Sequence, residues 1–149
     1  HSSSGKPQGA ADFMDVKFAG MICYDSIFSD LLQKPIQEGA KIILVSSNES
    51  WYVGSTALWQ HFAHSIMRGV EYQRYVVRSA NGGYSAIIDA HGQVLQEGTL
   101  GAFETLSAQV PLLTEETIYA KISPWLSPII LLLLLLLWLP NGHLHHRIK

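Results

Sequence analysis

Val16-Lys17-Phe18-Ala19-Gly20-Met21-Ile22-Cys23-Tyr24-Asp25 runs an apolar strand straight into a polar turn, and Lys41-Ile42-Ile43-Leu44-Val45 follows less than twenty positions later. From Phe13 to Tyr24 apolar Val16, Phe18 and Ile22 alternate with polar Asp15 and Lys17, the period of a strand that ends at Cys23. Between the two stretches Ile27, Phe28, Leu31, Leu32 and Ile36 recur at helical spacing. Ser26 is a candidate cap, Gly39 a stop, and Pro35 a residue that shortens or kinks the helix. The continuous Ile42–Val45 run suits a strand buried on both faces. The result is strand, helix, strand, and hence an α/β fold with parallel pairing.

Outward from this unit, Ser46-Ser47-Asn48-Glu49-Ser50-Trp51-Tyr52 follows the C-terminal end of the second strand, where ligand groups gather in α/β sheets. Leu58, Phe62, Ile66, Met67 and Val70 mark a helix over Ser55 to Tyr72. Strands are expected at Tyr75–Val77, Tyr84–Ile88, Val94–Leu95 and Ser107–Val110, with Asp89-Ala90-His91-Gly92 as a hairpin turn. His1 to Ala11 is a Ser/Gly/Pro-rich loop, and Pro111 to Ile122 links the folded part to Ile129–Leu139, an unbroken apolar run that includes seven leucines in succession. The expected divisions are a lead-in over 1–12, a folded part over 13–122, one transmembrane helix over 123–140 and a tail over 141–149.

A spanning helix needs about 20 apolar residues. With Ser127 as cap and Pro128 as first helical residue, Pro128 to Leu139 would reach only ~18 Å at ~1.5 Å per residue, so either the helix starts at or before Trp125 and thins the bilayer locally, or the native span is cut short here. Arg147, Lys149 and three histidines after the run, against Glu115 and Glu116 before it, place the tail in the cytoplasm and the folded part outside. Ten basic and twelve acidic side chains give a net charge of −2 over 149 residues, with no basic stripe, which excludes a nucleic-acid partner.

Cys23 is the only cysteine, so no internal disulfide is possible. At a strand-to-helix elbow a thiol is held clear of the core and the following backbone N–H groups can stabilise an oxyanion, which suits a nucleophile; packing is the competing reading. Lys17 lies six residues back along the strand, ~20 Å away, and Lys34 and Lys41 sit beyond the next helix, so no base and cation for the thiol are evident. His61 and His64 lie three apart on one helix face but lack further metal ligands, and are expected to be surface or site-lining residues; no metal or cofactor is expected.

Ile22-Cys23-Tyr24-Asp25, Glu38-Gly39-Ala40, Ser47-Asn48-Glu49-Ser50-Trp51-Tyr52, Arg68-Gly69-Val70-Glu71, Arg78-Ser79-Ala80-Asn81-Gly82-Gly83 and Ser85-Ala86-Ile87-Ile88-Asp89, in that order, resemble the C-terminal half of a nitrilase-superfamily (carbon–nitrogen hydrolase) domain. Thr117-Ile118-Tyr119-Ala120 followed by an apolar span is similar to the exit of its apolipoprotein N-acyltransferase branch. The resemblance implies half of an α-β-β-α sandwich followed by one transmembrane helix. It further implies a Glu-Lys-Cys trio with Cys23 as nucleophile and the Glu and Lys outside this chain, the Tyr24 backbone N–H at the oxyanion and Asp25 as a supporting acid. Asn48, Glu49, Trp51, Tyr52 and Asn81 would bind substrate. The implied partners are a phospholipid acyl donor, a diacylated lipoprotein acceptor, a membrane and the missing N-terminal half of the domain. The implied place is a bacterial inner membrane, with the site on its periplasmic side. An amidase or nitrilase with a membrane tail, and a non-catalytic degenerate module, remain open alternatives.

Overall fold

The computed structural model describes residues 9–52 and 54–138. Among these, six strands form one mixed sheet in sequence order: β1 (Ala11–Phe13), β2 (Val16–Ile22), β3 (Ile42–Asn48), β4 (Tyr75–Asn81), β5 (Ala86–Ile88) and β6 (Val94–Glu97). The β2–β3 and β3–β4 pairs are parallel and the other three antiparallel, so β2, β3 and β4 all present their C-terminal ends at one edge. The β-α-β reading holds, but the single strand expected over Phe13–Tyr24 is a hairpin. Met14 and Asp15 both take positive φ, 47° and 63°, and turn β1 back on β2 through a two-residue loop. No Asn-Gly or Asp-Gly pair announces that turn.

The helix expected over Ile27–Ile36 is instead two short 3-10 turns, Cys23–Ile27 and Ser29–Leu32, leading into α1 (Gln33–Gln37). The segment needs its carbonyls for side chains of the neighbouring helix, described below, and Pro35 has no N–H to extend a longer helix. α2 (Ala57–Tyr72) forms as expected and buries Leu58, His61, Phe62, Ser65, Arg68, Gly69 and Tyr72 along one stripe. It ends where Gln73 turns left-handed at φ 46°.

Alternation along the parallel strands sorts their side chains. Ala19, Met21, Ile43, Val45 and Val76 face α1 and α2 and join Leu32, Ile36, Phe62 and Tyr72 in the core. The other face carries Val16, Phe18, Ile42 and Leu44, which with Phe13 and Met14 line an apolar hollow of about 520 Å³; no second sheet covers it among the described residues. One sheet with helices on one side is half of the expected sandwich.

Residues 107–110 are not a strand, and β5 begins at Ala86 rather than Tyr84. The apolar helix also starts earlier than the cap at Ser127 suggested: α3 (Ile118–Trp138) is 21 residues long with Pro124 and Pro128 inside it. At ~1.5 Å per residue it extends ~31 Å, the thickness of a bilayer's hydrocarbon core. It has a mean hydropathy of 2.0 and, among the described residues, none that is fully buried, only its first turn packing Tyr119 and Ala120 partly against the core, so it is long and apolar enough to cross a membrane. The lead-in over 1–8 and the tail with His143, His145, His146, Arg147 and Lys149 lie outside the described residues.

Candidate active site

Parallel pairing puts Cys23, Asn48 and Asn81 at the same edge. Cys23 follows β2 directly, Asn48 and Asn81 close β3 and β4 in register, and Asn81 Nδ2 donates to Asn48 Oδ1 at 3.1 Å. The Glu49 N–H donates to the Asn81 carbonyl at 2.7 Å, which fixes the β3 exit onto β4.

Cys23 is a partly exposed free thiol at φ 52°, the left-handed region that a residue with a Cβ enters at a cost of about 1–2 kcal/mol. Its neighbours hold it there. His61 Nε2 lies 3.0 Å from the Cys23 carbonyl oxygen and 3.0 Å from Ser26 Oγ, and Ser26 Oγ itself donates to the same carbonyl at 3.0 Å. A carbonyl only accepts, so hydroxyl and imidazole N–H converge on one oxygen. With the carbonyl held towards α2, the peptide joining Cys23 to Tyr24 has a fixed orientation. Tyr24 is exposed, with its ring 6.0 Å from that of His61. Asp25 is exposed and turns its carboxylate back to accept from the Ile22 N–H at 3.1 Å, a local cap on the turn.

Glu49 does not face open space: its side chain is fully buried. Its Oε1 receives the Arg78 Nη2 donor in a close ion pair, accepts from Ser47 Oγ at 2.9 Å and lies 2.6 Å from His61 Nδ1, off line for a hydrogen bond but within ion-pair range. Arg78, also fully buried, donates from Nη1 to Ser65 Oγ at 2.9 Å and from Nε to the Tyr84 carbonyl at 3.0 Å. Burial pulls its guanidinium below the ordinary value, while the Glu49 charge and hydrogen bond and the Cys23 thiol pull it back up. Arginine stays charged throughout. Gly83 makes room for this pair, because a Cβ there would run into Glu49 Oε2.

Trp51, in the 3-10 turn Ser50–Tyr52, is 66% exposed at the same edge; Tyr52 belongs to that turn, and its side chain is outside the description. Asn48 and Asn81 are exposed. Beyond β4, residues 79–83, 85, 98, 99 and 101–104 line an open cavity of about 350 Å³. Lys17 is far from the thiol, its Nζ donating to the Glu38 carbonyl at 3.1 Å.

Sequence reasoning gave Ser26, Ser65 and Arg78 no part in the site. Of the two expectations for His61, surface or site-lining, its burial beneath the elbow excludes the first. A signal was present. The α2 stripe 58, 62, 65, 69, 72 carries His61, Ser65 and Arg68 in phase with its apolar residues, and polar groups on a buried stripe require partners. Among the described residues no group of three or more His, Cys, Asp and Glu side chains is placed to hold a metal ion.

A family model described as carbon-nitrogen hydrolase matches residues 2–120. An apolipoprotein N-acyltransferase of Nostoc sp. is 30% identical over 141 residues, covering 95% of this chain and 28% of its own length. One from Shewanella oneidensis is 37% identical over 108 residues, covering 71% and 20%. The chain thus spans little more than a quarter of such relatives at most. Among solved structures, a Saccharomyces cerevisiae member of branch 10 of the nitrilase superfamily superposes with a TM-score of 0.58 at 24% identity, over 67% of this chain and 39% of that one. An amidase from Nesterenkonia sp. gives 0.54 at 17% identity, over 66% and 41%. At these identities the two structures speak for the fold.

Proposed function

The chain belongs to the carbon-nitrogen hydrolase family, and on that premise we propose that it is the nucleophile-bearing part of an N-acyltransferase acting on lipoproteins. The Cys23 thiolate attacks an ester carbonyl of a phospholipid. A carbon–sulfur bond forms, the ester carbon–oxygen bond breaks, and the lysolipid alkoxide leaves with a proton. The N-terminal amine of a diacylglyceryl-cysteine then attacks the thioester, forming the amide, returning the thiolate and giving up its proton to the base. The Tyr24 N–H stabilises the oxyanion of each tetrahedral intermediate. The general base, a glutamate, and a second oxyanion donor, a lysine, come from outside residues 1–149.

The observation that carries the reading is the elbow itself: a sole cysteine at φ 52°, directly after a parallel strand, with its carbonyl held by two donors from buried side chains. Restraint of this kind around a strained, partly exposed thiol is what a nucleophile requires and a packing cysteine does not. Relatives named as N-acyltransferases, together with α3, favour lipid substrates over the soluble amides of an amidase. Both substrates are membrane-bound, so a spanning helix keeps the site where they are, at the outer face of a bacterial inner membrane. Trp51, Asn48 and Asn81 wall the acyl approach, Asp25 supports the turn, and Glu49 acts from beneath through Arg78.

Mass spectrometry of the full-length protein incubated with phospholipid vesicles tests the reading. An acyl adduct on the Cys23 peptide, cleaved by neutral hydroxylamine and absent from Cys23→Ser, is expected. No adduct, together with transferase turnover undiminished in Cys23→Ser, would overturn it.

A further inference from the structure

Arg68 and Glu71 stand in a motif that the catalytic reading leaves without a role, yet they join the two ends of the described structure. Arg68 Nη1 donates to the carbonyls of Ile27 at 2.8 Å and Ser26 at 3.3 Å, both within the 3-10 turn that Cys23 begins. Its Nη2 donates to Glu71 Oε1 at 2.7 Å, and the other oxygen of that carboxylate accepts from Ser29 Oγ at 2.6 Å. Ser29 Oγ in turn accepts from the hydroxyl of Tyr119, in the first turn of α3, at 3.0 Å. A parallel path reinforces the first. Thr117 Oγ1 accepts from the Ala120 N–H at the start of α3 and donates to the Glu71 carbonyl at 2.5 Å. Tyr72 donates to the Ser29 carbonyl at 2.7 Å and meets the Tyr119 ring edge-on, with centroids 5.9 Å apart.

We infer that Arg68, Glu71, Ser29 and Tyr119 form a hydrogen-bonded latch that positions the nucleophile turn from the first turn of the apolar helix. The turn needs such a hold, because short 3-10 segments have poor intrinsic hydrogen bonding and Cys23 occupies a backbone conformation it would leave if released. Arginine suits the task, since its planar fork reaches two carbonyls and a carboxylate at once, which an ammonium group does not match. The four are positioning residues: none of them touches the thiol, and each acts through the next. Where α3 sits is thereby felt at Cys23.

The importance of the latch rests on Cys23 being the nucleophile, but its test reads the thiol directly. Alkylation of Cys23 by iodoacetamide is followed on the Cys23 peptide of the full-length protein in lipid nanodiscs, for wild type, Tyr119→Phe, Glu71→Gln and the double variant, across a range of pH. Each single variant should change the alkylation rate by about threefold or more. The double variant should change it no more than the larger single effect, because both cut one chain of bonds. Leu100→Ser, on an exposed residue far along the chain from the latch, should leave the rate unchanged. Rates within about 1.5-fold of wild type for Tyr119→Phe, or two effects that multiply independently, would overturn the latch. Should Glu71→Gln fail to melt cooperatively, Ser29→Ala takes its place in the cycle. Coupled alkylation rates without a thioester would sink the catalytic reading alone, and a thioester with uncoupled rates would sink the latch alone.

Discussion

Replacing Glu49 by alanine should be among the most damaging single changes in the folded part. Its carboxylate is the one counter-charge that the described structure places on the Arg78 guanidinium, and both side chains are fully buried. Without it, Arg78 keeps two neutral acceptors, Ser65 Oγ and the Tyr84 carbonyl, and a buried cation remains unneutralised. Breaking a buried pair from one side costs about 3–5 kcal/mol. A domain stable by about 5–15 kcal/mol loses roughly a fifth of that or more. At about 2–4 °C per kcal/mol for a domain of this size, the melting midpoint should fall by roughly 6–20 °C, as read by circular dichroism of the full-length protein in detergent. Glu49→Leu combined with Arg78→Met removes both charges, and should recover at least half of the loss, because an apolar replacement for a buried pair is close to neutral. A midpoint for Glu49→Ala within about 2 °C of wild type, or a double variant worse than the single, would refute the claim that Arg78 depends on this carboxylate.

Gly83→Ala drives a methyl group into Glu49 Oε2 and should cost about 1–3 kcal/mol as overpacking in a denaturant titration. Its effect should shrink in a Glu49→Ala background, where the space is free. His64 is held below its ordinary value of 6.5, first by burial and then by Arg68 and His61, with Glu71 opposing. The unfolded chain therefore binds the proton more readily than the folded one. Stability contributed by this group is complete above about pH 6.5 and is lost as pH falls below it, so His64→Gln should flatten that limb of the melting-temperature profile relative to wild type; superimposable profiles would contradict this. Leu133→Arg sets a charge in the leucine run of α3, at a cost of up to about 2.5–3.5 kcal/mol, and should release a measurable fraction of the isolated helix from membranes in carbonate extraction.

The β-α-β unit, α2 and the apolar helix were legible because each is carried by a long periodic or continuous apolar pattern. The Met14-Asp15 turn was not, because neither residue is glycine or asparagine and the positive φ of both is imposed by strand pairing. Pro128 read as a helix start, but Tyr119 and Thr117 bind the folded part and nucleate α3 two turns or more earlier. Of the site, Cys23 and the strand-end residues could be placed because parallel strands deliver their C-terminal ends to one edge. What could not be placed was the layer beneath. His61 lies thirty-eight positions from the carbonyl it contacts, and Arg78 twenty-nine from its carboxylate partner. Partners at that separation are set by how α2 lies on the sheet, which no local pattern encodes.

Pro124 and Pro128 stand four apart on α3, so the backbone donors they lack fall on one side of the helix and leave the carbonyls of Ala120 and Pro124 without their intrahelical partners. The seam lies just after the turn in which Tyr119 docks and before the leucine run. A rod weakened along one side flexes in a single plane. The folded part should therefore rock over the bilayer along a preferred direction and resist tilting across it. On the proposed reading, lipid substrates diffusing in two dimensions would then meet a site that samples the membrane surface along an arc rather than over a cone.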